Sequence, residues 1–148
     1  MNKRIIHNLV WVSSFLIGLS AFLLGINWLF HPEPWLLDKA PNEEILGLPF
    51  DELFASEINK YLPNYLKVIY RFFGWWLISS GLVIMAYINI TRMGTSSARN
   101  TLFGVLAIIL MGIYYLLLSL IPTSPFLVAL HGIAFLWVIG VCAAFQLD

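Results

Sequence analysis

The stretch TLFGVLAIILMGIYYLLLSLIPTSPFLVALHGIAFLWVIGVCAAF, residues 101–145, contains no Asp, Glu, Lys or Arg. It divides at Pro122-Thr123-Ser124-Pro125 into two apolar runs, 101–121 and 126–145, each near the ~20 residues a helix needs to cross the hydrocarbon of a bilayer. Ser124 can cap the second helix and Pro125 suits its first position, so the four-residue turn predicts an antiparallel hairpin. Two further apolar runs, 9–30 and 72–90, complete a set of four.

The whole chain has the same character. Of its 148 residues, 60% are hydrophobic and 11% charged, against about 25% charged in a soluble domain, and the mean hydropathy is +0.85. Such a chain can satisfy its backbone in lipid only as helices or a closed barrel, and continuous runs rather than alternating ones select helices. The expected fold is therefore all-α: four transmembrane helices, at about 9–30, 70–90, 101–121 and 125–145, in one antiparallel bundle spanning residues 1–148, with an outer loop at 31–68. The first run follows Lys3 and Arg4, as a secretory signal would. It exceeds the ~7–15 residues of a signal core and ends in Asn27-Trp28-Leu29-Phe30, a poor cleavage context, so it reads as a retained helix.

Lys3, Arg4, Arg92 and Arg99 occupy the N-terminal tail and second loop without acids beside them, which predicts cytoplasmic termini. The first loop holds Glu33, Asp38, Glu43, Glu44, Asp51, Glu52 and Glu57, together with Lys39, Lys60 and Lys67, and is expected outside. Phe50, Leu53, Phe54, Ile58, Tyr61 and Leu62 recur at helical spacing between Pro49 and Pro63, predicting one amphipathic helix over 50–62 that caps the bundle or lies in the interface. Its acidic side favours docking of a membrane protein partner over binding to anionic lipid.

On helix one, Ser14, Gly18, Ala21 and Gly25 share one side, flanked by Ser13, Ser20 and Asn27. Phe15, Leu16, Leu19, Phe22, Leu23, Ile26 and Phe30 take the other. Small residues let helices approach, so the first set is expected to face protein, and Gly74 and Gly81 are read in the same way.

Arg71 opens the second run in YRFFGWWLISSGL. As an interfacial anchor it keeps company with Tyr70, Trp75 and Trp76. As part of a site, it joins the polar residues delivered to the same level by other helices: Asn27, His31, Ser119 and His131. These five are the candidate ligand-binding residues, and either face of the fourth helix could bury His131. Cys142 stands alone, so no intrachain disulfide forms; no closely spaced His or Cys motif suggests a metal, and no basic face suits nucleic acid. No catalytic residue and no cofactor is assigned.

The order of features, a first helix closing in FLLGINWLFHPEPW, a second opening in YRFFGWWLISSG, then two helices joined by a short turn, resembles the DoxX-like group of small four-helix membrane proteins. The resemblance implies an accessory membrane protein, sometimes associated with quinone-linked redox systems, with Arg71 as the position to watch. The acidic loop at 33–67 is longer than that group implies. The expected function is thus an accessory or interaction protein linked to membrane redox or lipid processes, placed in a bacterial plasma membrane. The alternative is a membrane enzyme or a binder of a quinone or anionic headgroup, using Arg71 and His131 in an outward-facing pocket.

Overall fold

The computed structural model describes residues 2–147, and every regular element among them is helical. Four helices are long and apolar enough to cross a membrane: α1 (Lys3–Phe30), α4 (Leu62–Thr91), α5 (Ser96–Leu120) and α6 (Phe126–Ala144). Two short helices, α2 (Lys39–Leu46) and α3 (Phe50–Ala55), lie in the first loop with single 3-10 turns at Pro34–Asp38 and Glu57–Asn59. The outer surfaces of α4 and α5 expose Phe72, Trp75, Trp76, Val83, Ile108, Met111 and Leu118, a belt of large apolar groups that belongs in lipid rather than water.

Local chemistry sets the helix ends. Asn2 Oδ1 accepts from the Arg4 amide at 3.0 Å and Thr95 Oγ1 from the Ala98 amide at 3.2 Å. Both fill backbone donors that a helix start leaves open. The thirty residues of α4 make it ~45 Å long, against ~30 Å of hydrocarbon, so part of it must project beyond the membrane.

α1 is the hub, packing most extensively against α4 and then α6, while α5 rests mainly on α6. The contact with α4 is a backbone approach: Gly18 meets Gly81 and Gly25 meets Gly74, so closely that a Cβ built on any of the four would lie within 3.1 Å of the other helix's backbone. The small-residue side of α1 therefore faces protein as expected, with Ser13, Ser14, Gly18 and Gly25 buried, while Leu16, Leu23 and Phe30 are exposed. Gly140 of α6 seats against Ser13 and Phe103, and the Trp137 indole donates to the Phe103 carbonyl at 3.0 Å. α4 and α5 are joined where the Tyr87 hydroxyl donates to the Ala98 carbonyl at 3.1 Å, and beyond it an apolar cleft of about 370 Å³ opens between Trp76, Val83, Thr101 and Val105.

The α4–α5 turn holds a feature the charge pattern conceals. Arg92 and Met93 both adopt the left-handed backbone, φ 52 and 54, which is uncommon without glycine. Thr91 Oγ1 accepts the Met93 amide at 3.3 Å, Met93 is fully buried, and Arg99 Nη1 donates to the Met93 carbonyl at 3.3 Å. Arg99 is itself only 4% exposed. It organises the turn rather than meeting solvent as a loop charge.

The first loop departs from expectation. The helix beginning at Phe50 stops at Ala55, because Ser56 turns extended at ψ 130, and the Asn59 amide group then donates to the freed Leu53 carbonyl at 2.9 Å. Ile58 and Tyr61, assigned to the apolar side of a single helix, are 91% and 75% exposed. The ordered helix preceding it, α2, ends at Gly47 in the left-handed conformation, φ 71, with its amide donating to the Glu43 carbonyl at 2.9 Å.

Candidate functional site at the first-loop end

The chain from Pro34 to Asp38 buries Pro34 and Trp35 and delivers Asp38 into the interior at 6% exposure. Trp35 is held by a small aromatic core, 5.5 Å edge-to-face from Phe54 and 6.5 Å from Phe50, whose rings pack on each other at 5.4 Å. Glu43 fixes this arrangement: its carboxylate accepts the Phe50 amide at 2.8 Å and lies 3.6 Å from the Lys39 ammonium.

Asp38 finds its partner eighty-six positions away. The Ser124 hydroxyl, in the turn before α6, reaches both carboxylate oxygens at 3.0 and 3.2 Å, and accepts the Phe126 amide at 3.2 Å. Backbone donor, hydroxyl and carboxylate thus form one chain, in which Ser124 serves the first amide of α6 and holds Asp38 as well, although the N-cap position belongs to Pro125 rather than to Ser124 as the sequence suggested. No cation pairs with Asp38 among the described residues. Burial pushes its carboxyl above the usual carboxylate range, against a smaller opposing effect of the Ser124 hydroxyl.

Two more ties fasten the loop. The Asn42 side-chain amide donates to the Tyr70 hydroxyl at 3.0 Å, and the Thr123 hydroxyl donates to Glu44 at 3.1 Å. Asp38 is close enough to Tyr70 to act on it electrostatically. The Trp28 indole N–H, buried between Phe73 and Phe126, has no partner among the described residues.

No hydrogen bond or ion pair among the described residues joins any two of Arg71, His131, Asn27, His31 and Ser119. Arg71 is exposed and meets no carboxylate. Of the loop acids, Asp38 is engaged with Ser124, Glu43 with Lys39 and Glu44 with Thr123. His131 is exposed on the side of α6 with Phe135, Val138 and Cys142, its ring 5.6 Å from Tyr114, while Gly140 on the other side is buried. Asn27 and Ser119 are exposed; His31 is half-buried, its Nδ1 accepting the Glu33 amide at 3.1 Å in a local turn. No group of three His, Cys, Asp or Glu able to hold a metal occurs among the described residues.

Asp38, Asn42 and Tyr70 were missed as a set. The available signals were two and far apart: an acid closing the apolar run PWLL, and a serine between two prolines read as a cap.

No family model, curated protein or solved structure matches this chain. The reading of its function rests on the geometry above.

Proposed function

We propose that this chain is a small accessory protein of the membrane that works by docking a partner on its folded first loop. The four long helices run as an antiparallel bundle in this reading, which is supported by the order of the glycine contacts, Gly18 with Gly81 and Gly25 with Gly74. Both termini lie in the cytoplasm and the loop outside, following the positions of Lys3, Arg4 and Arg92. A DoxX-like relationship, a bacterial plasma membrane and a link to membrane redox or lipid processes belong to the same proposal.

The observation that carries it is the fastening of the loop. Three side-chain hydrogen bonds, Asp38–Ser124, Asn42–Tyr70 and Glu44–Thr123, bind it to α4 and to the α5–α6 turn. A connector with no task need not be held so, since ordering each residue costs ~1–2 kcal/mol of backbone entropy. Held in place, it presents Asp51 and Glu52 to solvent without ion-pair partners among the described residues, where Lys39 and Lys60 already serve Glu43 and Glu57. The complementary partner is a protein with a basic outer surface. A fixed acidic surface of this kind governs encounter and orientation more than raw affinity.

A photo-crosslinking residue at Ala55, beside the acids, tests this in native membranes. Discrete protein adducts are expected, and Asp51→Lys/Glu52→Lys should abolish them while leaving thermal unfolding unchanged. Adducts that persist at wild-type yield in the charge-reversed protein sink the proposal.

A further inference from the structure

Between α2, α3 and the first turns of α4 lies a cavity of about 230 Å³. Ile45, Leu46, Leu53 and Leu66 supply much of its apolar wall, and Asn42 and Tyr70 bring polar groups to it. A pocket with apolar walls and a few convergent polar groups is the common form of a small-molecule site. The volume sets the scale of the occupant: an engineered apolar cavity of about 150 Å³ accepts benzene, so this one, open to the surface at Ile45 and Leu46, seats a single substituted ring.

The polar pair sets the chemistry. The Tyr70 oxygen is occupied as an acceptor by the Asn42 amide at 3.0 Å, which leaves the phenol proton to be given away. No acceptor for that proton occurs among the described residues. A molecule entering the cavity is therefore met by one free O–H donor in a wall of leucine and isoleucine. Charge is excluded on energetic grounds, because the lining offers no counter-ion and burying an ion unpaired costs far more than one hydrogen bond returns.

We propose that this cavity binds an uncharged, ring-sized apolar molecule bearing one carbonyl, whose oxygen accepts a hydrogen bond from the Tyr70 hydroxyl. The site is made by the folded loop itself, so loop order and ligand occupancy are coupled. It is separate from the acidic surface at Asp51 and Glu52, and either reading can fail without the other.

The test is a fluorine NMR titration of 4-fluoroacetophenone into the purified full chain in detergent, with 4-fluoroethylbenzene as the probe lacking a carbonyl. A saturable shift beyond that of empty micelles is expected for both. Tyr70→Phe also removes the Asn42 tie and so loosens the loop for both probes, but it should weaken the ketone roughly three- to tenfold more than the hydrocarbon probe, the worth of one neutral hydrogen bond. Leu53→Trp, which fills the cavity, should abolish saturable binding of both probes. Ile45→Trp repeats the test from a more exposed wall position, 61% exposed, should Leu53→Trp fail to fold. The proposal is overturned if no saturable shift appears, if binding survives both filling variants, or if Tyr70→Phe affects the two probes equally.

Discussion

Replacing Gly25 with alanine would place a methyl carbon 2.5 Å from the Gly74 carbonyl oxygen and 2.7 Å from the Ile78 amide nitrogen. Both obstacles are backbone of α4, so no side-chain rotation relieves them. Restoring the 3.4 Å at which such a contact becomes ordinary moves the helices apart by about 0.9 Å at this crossing. α1–α4 is the largest helix contact in the molecule, and in lipid its stability comes from close packing rather than from expulsion of water. Overpacking of this kind costs ~1–3 kcal/mol, a factor of about 5–30 or more in the folded-to-unfolded ratio. The assay is equilibrium unfolding in mixed micelles, followed by helicity. Gly104→Ala is the control, since a Cβ there meets nothing within 4 Å; it should match wild type or gain up to ~1 kcal/mol from the helix preference of alanine over glycine. Gly81→Ala should resemble Gly25→Ala, its Cβ falling 2.5 Å from the Gly18 oxygen. The double variant should cost less than the sum, because one separation of the helices relieves both clashes. A Gly25→Ala protein as stable as the Gly104→Ala control would refute the close approach.

Asp38 gives the loop a pH dependence of defined sign. Its carboxyl titrates above the ordinary 3.8 when folded, so the folded state holds the proton more tightly than the unfolded one; the resulting stability is full below 3.8 and is lost as pH rises through the raised value. Amide protection over residues 34–46, corrected for the intrinsic pH dependence of exchange, should fall across that window in wild type and stay flat in Asp38→Asn, and an identical profile in both would exclude Asp38 as the source. Ser124→Ala, which strips the buried carboxyl of its donor, should cost ~1–3 kcal/mol by thermal unfolding; no measurable change would mean that the contact contributes nothing. A single cysteine at Glu44, but not one at Thr95, should react with an impermeant maleimide added to intact cells, and labelling of Thr95 from outside would overturn the topology.

Arg71 shows how far a sequence carries an argument about sites. Its level along α4, and the levels of Asn27, His31, Ser119 and His131 on their helices, follow from counting residues. The direction in which each side chain points does not. In lipid an apolar side chain is equally at home against a neighbouring helix or an acyl chain, so hydrophobicity marks the buried face only weakly. Where small residues mark the face instead, the reading held: Gly18 and Gly25 were placed against protein, and Gly74 and Gly81 were read as packing positions. On α6 the small residues Ala129 and Gly140 lie opposite His131, yet the sequence left either face open, and the structure exposes His131 and buries Gly140.

What the sequence determined by itself is the set of four long apolar helices and most of their ends. Backbone groups in hydrocarbon must be satisfied within the segment, and prolines, glycines and capping side chains act over a few residues. Tertiary structure decided everything that joins distant positions: Asp38 to Ser124, Asn42 to Tyr70, the burial of Arg99 and the cavity beneath α2 and α3. It also decided where α3 stops, since the apolar period continued past Ser56 while the Asn59 side chain closed the helix. Local rules fix whether a helix forms; which polar groups meet across helices depends on their rotation and spacing, and those are set only when the backbones of α1 and α4 come together at their glycines.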